Sequence, residues 1–473
     1  MNPARKFPAE ALRKDYTILR EIMEKFHPAL YWYTPKDSMD YYFDKYYNAI
    51  TDSMTRQQFG FTILAPLTTK VHCGHTSFNY PRAYSRRQRE HAQPSFPLFM
   101  KIWPDTMVLT SNLNKKDSVL KRGTLITRIN GLDVQQLEDT LFQFMPTDGY
   151  AENVNYIRLS AAFPYYHRNI MGLSKKYAVG YIDSTGIERT DTVALFDPAT
   201  DSLASTFIRS RNKQIDPEDK PAKWENFRSL KIDTAGSLAV MTVHSFGSRG
   251  RLPSFFRKSF RQLRKKNIPN LVIDLRTNGG GKVNNYTTLA RYIRDTPFKV
   301  ADTTTAMHNG LGHYKRYFTS GWLNSMILFF TTTKKEDDRY HFRYWENHVF
   351  HPRKKNHYNG QVFVLINGPT FSASTLFAHT VKAQSNVLLV GEEAGGGAHG
   401  NSGILIPDVV LPETKMKVRL PLFKLVQYHH APKNGRGVMP DIDVPPTVEN
   451  VRKGRDGKMD KVMEIIKDSS AIQ

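Results

Sequence analysis

NLVIDLRTNGGG (residues 270–281) sets the reading of this chain: an apolar strand core runs into Asp274-Leu275-Arg276 and then into three consecutive glycines, Gly279 to Gly281. Two further segments repeat the design. VFVLI leads into NGPTFSASTLFA (367–378), and VLLV leads into GEEAGGG (391–397). Small residues and a hydroxyl at the ends of buried strands suit a site, because open α/β sheets bind and react outside the carboxyl ends of their strands. TLFAHTVKAQ (375–384) reads as a helix, so Ser372-Ala373-Ser374 lie at its N-terminus. Unpaired N–H groups there favour developing negative charge.

Outward from these segments the chain alternates strand and helix. SLAVMTVHSF, NLVIDLR, QVFVLI and NVLLV are strands; SFFRKSFRQLRKKNI, VNNYTTLARYIRD and TLFAHTVKAQ are helices. That order predicts a mostly parallel sheet with right-handed crossovers. Upstream, ALRKDYTILREIMEKF places Leu12, Tyr16, Leu19, Ile22 and Phe26 on one helical face, and Pro28 ends it. Second and third helices are expected from about Lys36 and over Thr55 to Leu67. KVHCGHTSFNYP (70–81) is a turn around Gly74 followed by a strand. Short strands fill 94–190. Within them, SVLKRGTLITRINGLDVQQLEDTLF (118–142) predicts a strand, a tight Asn130-Gly131 turn and an amphipathic helix. Residues 191–230 read as a polar linker plus an edge strand. An aromatic excursion over 301–358 is too long for idle loop and serves either as a packing cap or as a peptide-contacting lid.

At 473 residues the chain exceeds one ordinary core, and 40% hydrophobic with 12% aromatic residues is ample for burial. The net charge of +23, from 67 basic and 44 acidic residues, raises nucleic acid as a partner. The basic residues are spread along the chain, and RSRNK (209–213), RQLRKK (261–266) and PRKKNH (352–357) are short, which favours a solvated face and no nucleic-acid partner. One cysteine, Cys73, excludes an intrachain disulfide and multi-cysteine metal sites. No apolar run reaches the length that spans a bilayer, so no transmembrane segment is expected. MNPARKFPAEALRKD lacks the apolar core of a secretory signal, which reads either as a cytoplasmic protein or as a chain whose signal has been removed.

The glycines permit positive φ and close approach of another chain. A phosphate loop is the rival reading, but Lys282 is followed by Val283 where such a loop needs Ser or Thr. The better use is a backbone N–H aimed at an oxyanion. A serine hydroxyl is a feeble nucleophile without a base. His75, on a turn of small residues, can supply one, since triad members come in any order along a chain.

DLRTNGGG, the SAS-x-x-FA helix start, GEEAGGG and GRGVMPDIDV (435–444) together resemble the S41 peptidases, the carboxyl-terminal processing proteases and the tricorn core protease. The resemblance is strong over about 236–445, and residues 118–142 resemble the carboxyl-terminal part of a PDZ domain. In the processing-protease branch a lysine base lies in a GE-x-x-x-GK segment, and Gly397 stands in that place. The resemblance therefore points to the branch with an upstream histidine base, which CGHT resembles. It implies Ser372 as nucleophile, with Ser374 the rival, and His75 as general base. The N–H groups of Ala373 and of Gly279 or Gly280 would form the oxyanion hole. That branch has a serine before its histidine and an acidic orienter near its GV-x-PD segment; here Gly74 and Lys433-Asn434-Gly435 stand there. Asn434 is the candidate orienter, with Glu392, Glu393 and Asp441 as others.

The expected architecture is α/β multidomain. Residues 1–85 form a helical region contributing His75, 86–200 a PDZ-like β-rich module, 201–450 an S41-type catalytic domain of the ClpP/crotonase-like type, and 451–473 a polar tail. The resemblance implies a serine endopeptidase acting on peptides or unfolded proteins, with no cofactor or metal, in the periplasm, envelope or outside the cell. The alternative is a weakly active or inactive peptide-binding protein on the same fold.

Overall fold

The computed structural model describes residues 2–90, 93–200, 226–233, 235, 237–382 and 384–471. RSRNK and most of the expected linker lie outside the described residues.

Helix Ala9–Phe26 buries Leu12, Tyr16, Leu19, Ile22 and Phe26, the stripe that its spacing predicts. His27, just ahead of Pro28, closes it with an extended backbone. Lys36–Asn48 buries Met39, Phe43 and Tyr46. The third helical run starts at Thr55, whose side chain accepts from Gln58 N while the Gln58 side chain accepts from Thr55 N. This reciprocal cap satisfies two helix-end donors. The run ends at Thr69, with Phe59–Leu64 in a wider π form. These helices do not own their core. Ala306, Leu311, Phe318 and Leu328 from the aromatic excursion, and Val409, Met416 and Phe423, pack into it with Leu12, Phe43 and Leu67. The excursion thus does a packing cap's work, although Trp322, Leu323, Phe329 and Phe330 on its helix Gly321–Thr331 are exposed.

Strands Leu98–Trp103, Thr106–Asn112, Leu125–Ile129, Lys176–Ile182 and Glu188–Ala194 form an antiparallel sheet in that order. Asn130 and Gly131 take φ of 50° and 85°, the pair of positive values that a tight hairpin turn requires. Helix Val134–Phe142 follows, capped by Asp133 and Gln136. With helix Asn153–Ile170 the sheet encloses its own core of Leu98, Met100, Ile126, Leu137, Leu159, Phe163 and Val179.

The glycine segments belong to a six-stranded sheet whose spatial order equals chain order: β1 (Arg228–Asp233), β2 (Leu238–Val243), β3 (Asn270–Asp274), β4 (Gln361–Ile366), β5 (Val387–Gly391) and β6 (Ile442–Asp443). β1 and β2 are antiparallel, and every later neighbour is parallel. Strand side chains alternate faces. Leu271 and Ile273 join the core under helices Leu252–Lys265, Val283–Ala290 and Ala373–Val381, while Val272, Phe363, Leu365 and Val390 face the other way. That second face is covered by helix Gly457–Ala471 through Val462 and Ile466. The expected polar tail at 451–473 is therefore corrected: its described part is mostly helix and seals one side of the sheet. Met459, Val462, Met463 and Ile466 carry the three- and four-residue spacing that signals it.

Candidate active site

Three strand ends and two loops meet at the carboxyl edge of this sheet. After β4, Thr370 holds the turn closed, its hydroxyl donating to Leu275 O of the β3 loop and accepting from Asn367 N. The chain then kinks at Ser372, which has φ 55° and ψ −124° and caps helix Ala373–Val381. A non-glycine residue in such a conformation costs about 1–3 kcal/mol, and strain of this kind concentrates at functional sites. A sharp strand-to-helix elbow of this kind is the setting in which a nucleophilic serine is presented. Ser372 is half-buried, whereas Ser374 is fully buried in the first helical turn with no hydrogen-bond partner for its Oγ. No hydrogen bond links Ser372 Oγ to His75 among the described contacts.

The β3 loop fits against this elbow. Asn278 is completely buried; it donates to Val243 O, and its Oδ1 accepts from Gly280 N at 2.9 Å. Its own carbonyl accepts from Phe371 N, tying the loop to the residue before Ser372. Gly280, at φ 98°, is pressed so close that a Cβ there would lie 2.7 Å from Ser372 Cβ, 2.8 Å from Phe371 O and 3.0 Å from Ala373 N. Only glycine fits both the backbone and the space. The N–H of Gly280 is thus spent on Asn278, while those of Gly279 and Ala373 have no acceptor among the described hydrogen bonds.

His75 arrives from the N-terminal helical region and is 93% buried, being 7% exposed. Its ring lies 4.6 Å from that of Phe371, centroid to centroid, so it abuts the residue preceding Ser372. Gly74 allows this approach, since a Cβ there would sit 2.7 Å from the Phe371 ring. The loop is held from below by His27, whose Nε2 bonds Thr76 Oγ1 at 2.7 Å. Because His27 Nδ1 accepts from Ala29 N, its Nε2 must be the donor.

The residue facing His75 is one that the sequence did not single out. Asp148 Oδ1 lies 4.0 Å from His75 Nδ1, and both side chains are buried. The carboxylate accepts from Gly74 N at 2.7 Å and from Gly397 N at 3.4 Å. Gly397, standing where a lysine would be in the other branch, thus lends a backbone donor to Asp148. Burial depresses the basicity of His75, with Arg419 and Arg158 acting the same way, so the imidazole is neutral. Burial raises the Asp148 carboxyl, against the pull of the two N–H donors. Asp148 sits in PTDGY (146–150), a Thr-Asp-Gly string that reads as turn chemistry and carries no local mark of its partner.

Asn434 is not brought to His75. It is exposed, and its Oδ1 accepts from Arg436 N, closing a local turn. The other acidic candidates are engaged elsewhere: Glu392 with Lys458, Glu393 with Arg436 and Gly437 N, and Asp441 with Lys382 and Leu389 N. One further grouping stands out. Cys73, His75 and Asp148 each offer a donor atom of metal-ligand type, all buried and within 4.8 Å of one another.

Residues 237–444 match the family described as Peptidase family S41. Among solved structures, the chain is similar to mature CPAF complexed with lactacystin, at 14% identity over 98% of each chain with a TM-score of 0.66. It is likewise similar to mature CPAF alone, at 15% identity over 97% of each chain and a TM-score of 0.65. At such identities the likeness establishes a shared fold along nearly the whole chain. No curated protein matches the sequence.

Proposed function

We propose that this chain, whose residues 237–444 match peptidase family S41, is a serine-type endopeptidase acting on peptide or protein substrates, in which Ser372 is the nucleophile, His75 the general base and Asp148 the group that orients His75. The observation that carries this reading is the strained Ser372 elbow, locked against the Gly280 backbone on one side and flanked by the His75 ring beside Phe371 on the other. Ser372 Oγ attacks the scissile carbonyl while His75 Nε2 takes its proton and passes it to the leaving amine. A water then cleaves the acyl-enzyme by the reverse relay. The N–H groups of Gly279 and Ala373 receive the oxyanion, and Gly280 brings the loop close enough for them to act together. Asp148 faces Nδ1 and favours the tautomer with its proton there, leaving Nε2 free to accept. The Ser372–His75 hydrogen bond forms when substrate fills the cleft, since such bonds are often loose in free enzymes.

The β-rich module would hold the substrate by adding its strand to a sheet edge, in the manner of a PDZ domain. Work in the envelope or outside the cell accompanies this reading, and fractionation of the source cell tests it. For the activity itself, the purified chain is incubated with unfolded proteins and the new termini are sequenced. Internal cleavage by wild type that vanishes in Ser372→Ala and His75→Ala supports the assignment. Peptide binding without cleavage favours a binding protein on the same fold.

A further inference from the structure

We propose that Cys73, His75 and Asp148 form a zinc-binding site that switches the peptidase off by capturing its general base. The donor set is a thiol, an imidazole and a carboxylate, the three side-chain types that zinc takes. The one cysteine of the chain lies two residues from His75 and is buried beside it. A second observation points to an occupant. His75 Nδ1 is a buried nitrogen with no hydrogen-bond partner, 4.0 Å from Asp148 Oδ1. Buried polar atoms are seldom left so.

Zinc bonds of about 2.0–2.3 Å in a tetrahedral arrangement place donor atoms roughly 3.3–3.7 Å apart. The present separations, all within 4.8 Å, close to that by side-chain shifts of about 1 Å or less. A thiolate and a carboxylate offset both charges of the ion. The nearby Arg158 and Arg419 act against a cation, a cost that direct ligation by the two anions has to exceed. The consequence for catalysis follows from tautomerism. Zinc on Nδ1 takes the lone pair of that nitrogen, so the ring proton resides on Nε2. A ring with Nε2–H is a donor and cannot accept the proton of Ser372. Binding also releases the thiol proton of Cys73 to solvent. The capture needs only the three ligands, whereas the switching-off rests on His75 being the base.

The test uses the full chain in a chelator-free buffer with a phosphine reductant. Co2+ is titrated first, for its thiolate-to-metal absorption, and then Zn2+ by calorimetry, for wild type, Cys73→Ser and Cys73→Ala. Peptide hydrolysis is followed in parallel. One equivalent should bind wild type with the thiolate band, and zinc should stop hydrolysis reversibly by chelator. Both cysteine variants should lose the band, bind zinc about 10-fold or more weaker, and hydrolyse peptide without metal as wild type does. A wild type that hydrolyses peptide through His75 yet binds no stoichiometric metal overturns the site alone. So does binding that is unchanged in both variants. Cysteine-dependent binding that leaves hydrolysis untouched overturns the switch, whereas loss of hydrolysis in metal-free His75→Ala is the separate test of His75 as base.

Discussion

Gly280→Ala probes the contact on which the site depends. A Cβ at this position would stand 2.7 Å from Ser372 Cβ, whereas ordinary contact begins at 3.4 Å. The elbow and the β3 loop must part by about 0.7 Å, and the loop is anchored by the buried Asn278, so much of that motion falls on Ser372. Misplacing a catalytic group by about 1 Å costs on the order of 100-fold, and a displaced oxyanion donor a comparable factor. kcat/KM for a peptide should fall about 100-fold or more, with the loss in kcat. The positive φ of 98° adds a backbone cost of about 1–2 kcal/mol, or a few degrees in melting temperature. Gly172→Ala provides the control: φ is 85° there, and a Cβ would meet nothing within 4 Å. It should lose similar stability and no activity. Hydrolysis by Gly280→Ala within about threefold of wild type, with melting lowered as in the control, would refute the geometry, since the overlap would then not reach the reacting group.

Asp148→Asn keeps an acceptor for Gly74 N but no longer favours the Nδ1–H tautomer of His75, and should lower kcat about 100- to 10,000-fold with little change in melting. His27 is buried and neutral, its pKa pushed down to about 3 from the ordinary 6.5. As pH falls below 6.5 the unfolded chain takes up a proton that the folded one refuses, so stability drops by about 1.4 kcal/mol per pH unit from this group. Urea melts of His27→Gln from pH 7 to 4 should show a slope shallower by one proton; an unchanged slope contradicts the burial of a neutral ring. Val462→Asp places a charge against Val272, Phe363 and Leu365 and should destabilise the sheet domain by several kcal/mol, seen as insoluble expression or a collapsed melting temperature.

Much of the scaffold was legible because it is local. The stripe from Leu12 to Phe26, the Asn130-Gly131 turn and the strand-helix alternation after 237 are written in spacing and turn chemistry that neighbours in sequence decide. The C-terminal helix is written in the spacing of Met459, Val462 and Ile466, but Asp460, Lys461 and Glu464 between them make the segment polar on average and mask that stripe. The site divides differently. Ser372 and the glycines lie on motifs of one sheet, so their meeting follows from the topology. His75 carried no local signal beyond its small neighbours, and its place rested on resemblance. Asp148 and the burial of Cys73 depend on a loop before helix Asn153–Ile170 folding back onto the 72–75 turn, through Gly149 N to His72 O and Gly74 N to Asp148. Nothing within a few residues of Asp148 encodes that partner, and the spacer of Gly397 as its second donor is equally non-local.

The identity of the nucleophile is the most direct test of the whole account. A fluorophosphonate is reacted with wild type, Ser372→Ala and Ser374→Ala, and the modified peptide is located by mass spectrometry. One adduct on Ser372, retained in Ser374→Ala and absent from Ser372→Ala, is the expected result. An adduct on Ser374, or full labelling of Ser372→Ala, contradicts it.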